Sequence, residues 1–116
     1  MRTASAVMIA LWLGLGSAFA QQNAATDEVG KGHHLAVMVC SICHLAAPDQ
    51  SHLPMLKPPG PSFASIAQRR GTDEQSLTRF ITTTHRGLDN PAGMPDPDLA
   101  PYQVKEVVAY ILSLRR

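Results

Sequence analysis

Gly32, Leu35, Ala36, Val39, Cys40 and Cys43 recur at three- and four-residue steps, which predicts a helix from about Asp27 to Cys43 with one small, apolar face. Asp27 and Glu28 then fall in its first turn, where the helix dipole favours acids. Val104, Val107, Val108, Ile111 and Leu114 form a second stripe at helical spacing, and Pro101 suits the first position of that helix. Between them, Thr72 and Gln75 predict an N-cap and its N3 partner for a helix running to about Thr84 that buries Leu77, Phe80 and Ile81. Phe63 to Gln68 predicts a short helical turn closed by Gly71. The remainder, Leu45 to Pro61 and Gly87 to Leu99, is rich in Pro and Gly and predicts wrapping loops. No strand alternation and no repeat interrupts the series, so the expected fold class is all-α, with about three main helices and one short helical turn.

The first residues follow a different logic. Arg2 supplies a positive charge, an apolar run extends from about Ala6 to Leu15, and Ala18-Phe19-Ala20 ends it with small residues two apart. This is the layout of a secretory signal peptide over residues 1–20, cleaved after Ala20, with an uncleaved membrane anchor as the alternative. Residues 21–26 predict a polar, poorly ordered tail, and 27–116 a single domain. Loss of Arg2 from the ten Lys and Arg leaves them equal to the nine Asp and Glu, a balance that excludes electrostatic nucleic-acid binding. No stable membrane insertion is expected after cleavage. Trp12 and Phe19 leave as well, so the domain has few large aromatics and needs other material to fill its core.

Cys40-Ser41-Ile42-Cys43-His44 supplies a candidate. C-x-x-C-H is the spacing of covalent c-type haem attachment. Residues three apart on a helical turn lie on one side, so both thiols reach one edge of a porphyrin while the adjacent His44 points a nitrogen at the iron. Export to an oxidising compartment agrees with this, because the two thiols are consumed. A structural zinc site would need two further ligands from His33, His34, His52 and His85, which are scattered. A redox dithiol would follow a strand. A disulfide across two residues would be strained and would leave His44 unexplained.

Met94 is the candidate for the sixth iron position, in a loop stiffened by Pro91 and Pro95 and about fifty residues after His44. Met55 competes with it, and Met38 lies in the first helix. His33 and His34 are expected on the solvent side of that helix, and His52 in the Pro-rich loop. His85 stands near the axial loop as a replacement ligand in a loosened state.

Over nearly all of residues 27–116 the chain resembles class I c-type cytochromes. Gly32, eight residues before Cys40, and Tyr110 are similar to the pair at which the terminal helices of that family cross. Gly60-Pro61-Ser62-Phe63 resembles the segment whose proline carbonyl accepts a hydrogen bond from the proximal histidine, which implies that Pro61 orients His44. Asn90 to Pro95 resembles the axial-methionine loop of bacterial members. Arg69 and Arg70 stand where the family places a basic residue near the haem propionates. The chain departs from the pattern in a long connection from His44 to Pro61, in Ala36 where an aromatic often packs, and in having no Trp after the leader.

The resemblance implies a small cytochrome c fold around one covalent haem c. With iron held by His44 and Met94, no position is open to substrate, so the expected role is electron transfer rather than catalysis. Periplasmic redox proteins would dock at the exposed haem edge beside Cys40 and Cys43. The alternatives are a dedicated haem subunit of a periplasmic dehydrogenase or oxidase, and a haem enzyme or gas sensor with a displaceable sixth ligand.

Overall fold

The computed structural model describes residues 15–84 and 96–116, with side chains from residue 21 to 83 and from 96 onward. Among the described residues there are four α-helices: α1 (Leu15–Val39), α2 (Phe63–Ala67), α3 (Glu74–Arg79) and α4 (Pro101–Ser113). A 3-10 turn, Cys40–Ile42, ends α1, and a π-helical turn, Phe80–Thr84, extends α3. No strand occurs among the described residues; the one β-bridge joins His44 to Gly60.

The two stripes of the sequence meet where α1 crosses α4. Gly32 makes this crossing close: a Cβ there would stand 1.9 Å from the Glu106 carbonyl oxygen and 2.8 Å from Tyr110 Cβ. Any side chain at 32 would wedge the helices apart. Ala36, one turn on, is fully buried, and Val104, Val107, Val108, Tyr110 and Ile111 fill the facing side of α4. The small residue at 36 suits this contact, since an aromatic would need the space that α4 occupies. Phe63 and Ala67 from α2, Leu77 from α3, and Ala46 and Ala47 from the chain after the cysteine turn complete the core.

Around this crossing the structure revises several sequence expectations. Helix α1 already runs at Leu15, upstream of the start expected near Asp27, and residues 21–26 within it are helical and exposed. Asp27 and Glu28 therefore sit mid-helix, where they pair with Lys31 at 2.6 Å and Lys105 at 3.2 Å instead of meeting a helix terminus. Val39 is exposed, because the chain tightens to the 3-10 turn at Cys40 and breaks the helical register of the stripe.

The N-cap of α3 is Asp73, not Thr72. Asp73 accepts from the Ser76 backbone N–H at 2.7 Å, and the Ser76 hydroxyl oxygen accepts from the Asp73 N–H at 2.9 Å. The Ser76 backbone N–H, and then the Ser76 hydroxyl, hold the Asp73 carboxyl below the usual carboxylate range. Thr72 instead donates its hydroxyl to the Ile66 carbonyl, tying α2 to α3, with Gly71 turning between them at φ +77°. Leu77 is buried and Ile81 half-buried, but Phe80 is exposed on the π-turn.

Candidate functional site

The 3-10 turn gathers the motif. Both the Cys43 and His44 N–H groups point at the Cys40 carbonyl, at 3.2 and 2.9 Å, so residues 40 to 44 close into one tight turn. No disulfide joins Cys40 and Cys43, and both are half-buried. Burial, with the neighbouring Cys43, pushes the Cys40 thiol up to about 11, so it is held as S–H rather than thiolate. Ser41, between them, is buried, and its hydroxyl donates to the Val37 carbonyl at 2.5 Å. That hydroxyl has one proton, so the second contact, 3.1 Å from His52 Nε2, is a bond accepted from the imidazole N–H.

The connection from His44 to Pro61 wraps beneath this turn. Met55 N–H donates to the Ile42 carbonyl at 2.8 Å, and Gly60 N–H to the Cys43 carbonyl at 2.8 Å. Gln50 organises the near half of the loop. Its side-chain oxygen accepts from the N–H groups of Ala46 and Ala47, and its amide donates to the His52 carbonyl at 2.7 Å. The loop is also pinned to the helix crossing. Tyr110 donates its hydroxyl to the Ala46 carbonyl at 3.2 Å. His33 Nε2 lies 2.8 Å from the Asp49 carboxylate while its ring meets Tyr110 edge-on. His33 is thus half-buried and engaged, unlike the solvent-facing residue expected; His34 is exposed as expected.

His44 is buried. Its Nδ1 lies 2.7 Å from the Pro61 carbonyl oxygen. A carbonyl only accepts, so Nδ1 carries the proton and Nε2 the lone pair. Phe63 supports the ring at 5.5 Å between centroids. Gly60 lets the imidazole sit against the backbone, since a Cβ there would lie 2.6 Å from the ring. The donor set therefore fits an iron porphyrin held through two thioethers: two thiols on one turn, and an imidazole with its tautomer fixed and Nε2 as the metal-ligating nitrogen.

The family model described as Cytochrome c matches residues 29–115. The chain belongs to the cytochrome c family. Cytochrome c-552 of Bradyrhizobium diazoefficiens is 32% identical over 101 residues, covering 87% of this chain and 88% of that protein. No solved structure matches. The protein is a class I c-type cytochrome with the small all-α fold of that group, a haem-based electron carrier and not an enzyme. Membership brings covalently bound haem c and redox partners.

Within this cytochrome c, the fold brings Cys40, Cys43, His44 and Pro61 together. Arg69 and Arg70 follow α2 on the surface, both exposed. Met94 and His85, with the rest of 85–95, lie outside the described residues. Sequence reasoning missed the supporting roles of Ser41, Gln50 and His52. A hydrophilic residue inside C-x-x-C-H was the available signal for Ser41. Nothing local marks Gln50, whose bonds are set by how the loop folds back.

Proposed function

We propose that this cytochrome c carries one haem, bonded through Cys40 and Cys43, with His44 and Met94 as the axial iron ligands. The bond between His44 and the Pro61 carbonyl is the observation that carries the reading, because it fixes which nitrogen faces the metal and strengthens it as a ligand. Bound in this way, the haem supplies a reversible one-electron couple. Pro61 orients His44, Gly60 leaves room for its ring, and the Cys40–His44 turn sets the spacing of the attachment points. Arg69 and Arg70 stand as the cationic partners of the propionates.

The leader supports export: residues 1–20 are removed after Ala20, and 27–116 work in the periplasm between redox proteins that dock near Cys40 and Cys43. Among the described residues no helix is long and apolar enough to cross a membrane. Methionine ligation favours the reduced iron and raises the potential.

Absorption spectra of the haem-loaded protein with Met94→Ala, Met55→Ala and Met94→Ala/His85→Ala test the ligand set. Met94→Ala alone is expected to abolish the methionine–iron band and lower the potential, with carbon monoxide then binding the reduced form. Loss of that band in Met55→Ala instead would overturn the assignment.

A further inference from the structure

The stretch of α1 just past the expected cleavage point carries chemistry that the haem site does not use. Gln21 follows Ala18-Phe19-Ala20, so removal of the leader makes it the first residue of the processed chain. Residues 21–26 are helical and exposed. Thr26 donates its hydroxyl to the Gln22 carbonyl at 2.9 Å, so the helical backbone persists to the residue beside that terminus. Residues 21–26 hold no acid, and the next two, Asp27 and Glu28, are engaged by Lys31 and Lys105. A free ammonium on Gln21 would therefore stand at the positive end of the helix with no carboxylate in its first turn to offset it.

We propose that Gln21 closes on itself to pyroglutamate once the leader is removed, and that the ring relieves this helix end. The inference rests on cleavage after Ala20. The uncharged α-amine attacks Cδ of the side-chain amide on the same residue. A bond forms between the amine nitrogen and Cδ, and the Cδ–Nε2 bond breaks. Ammonia leaves with the proton that the amine gives up, and nothing is oxidised or reduced. Because amine and amide belong to one residue, the step is intramolecular and consumes no second reactant. An α-amine titrates close to neutrality, so roughly a tenth of it is uncharged at pH 7. The positive end of a helix favours that uncharged form, and the neutral lactam removes the charge that opposes the dipole.

The test uses the haem-loaded protein recovered after export. Its intact mass is expected to fall short of the chain from Gln21 plus haem by one ammonia, a loss separate from the haem increment. N-terminal sequencing is expected to be blocked, and to read from Gln22 directly after treatment with pyroglutamyl aminopeptidase. Gln21→Ala is expected to keep an open amine. Its backbone amides from Ala25 to Glu28 are expected to exchange with solvent about two- to fivefold faster than those of the parent. An open amine on Gln21 in the parent, or equal exchange in the two proteins, would overturn the inference. A chain that begins at another residue removes the cleavage reading and this inference together; one that begins at an unblocked Gln21 removes this inference alone.

Discussion

The helix crossing and the loop beneath the cysteine turn are built on opposite principles. At the crossing, α1 and α4 approach until the Gly32 position lies against the Glu106 carbonyl, and apolar side chains fill what remains. In the loop from Leu45 to Pro61 only Ala46 and Ala47 join the apolar core, and the order beyond them comes from polar bonds: Gln50 to Ala46 and Ala47, His52 to Ser41, and backbone N–H groups to the carbonyls of Ile42 and Cys43. Close packing fixes position without regard to direction, whereas hydrogen bonds fix direction. The site needs both, and His44 stands where they join, with Phe63 of the core on one side and the Pro61 carbonyl on the other.

The sharpest break of this contrast is Gly32→Val. With no room even for a Cβ, the helices must separate, at a cost of about 3 kcal/mol or more. Thermal melting is expected to fall steeply, and a protein that melts as the parent does would mean that the crossing is not closely packed. Gly60→Ala probes the other region. Its methyl would strike the His44 ring, so about 1–3 kcal/mol is expected, together with a changed visible spectrum in the haem-loaded protein. A spectrum unchanged beside lowered melting would detach Gly60 from ring placement.

Tyr110 bridges the two regions, and Tyr110→Phe removes only its bond to the Ala46 carbonyl, for about 1 kcal/mol. Burial, and then the Asp49 charge, raise the Tyr110 hydroxyl above its ordinary value. Because the folded state holds that proton longer than the unfolded chain, stability is full below about pH 10 and declines as pH rises further. Denaturation across pH 9 to 12 is expected to show a shallower decline in the Phe variant. The smallest effect belongs to Asp49→Asn. The hydrogen bond from His33 holds the Asp49 carboxyl below its unfolded value, so its contribution is present above about pH 4 and is lost as pH falls through the folded value. The variant is expected to flatten that acid limb, measured by denaturant unfolding from pH 6 to 2.

The same contrast explains what could be read from the sequence. Helix α4 was legible because its valines and Ile111 keep helical spacing and face one partner. The chemistry of Cys40, Cys43 and His44 was legible because spacing along one turn is a local property. The helical state of 21–26 was not, since a polar composition does not exclude helix when the flanking residues are helical. Thr72 and Asp73 are both good caps, and the choice between them followed from Thr72 being drawn to the Ile66 carbonyl. His33 looked solvated because its partners, Asp49 and Tyr110, are brought to it only by the folded loop and by α4.

The central claim is that the Cys40–His44 turn holds a covalent haem. It is tested most directly by the mass of the purified protein expressed with the haem-attachment machinery, read beside an alkaline pyridine spectrum and a thiol titration. The account predicts the chain from Gln21 onward plus one haem, with no titratable thiol, and loss of that added mass when both cysteines are replaced by alanine. A colourless protein of bare-chain mass with two reactive thiols would contradict it.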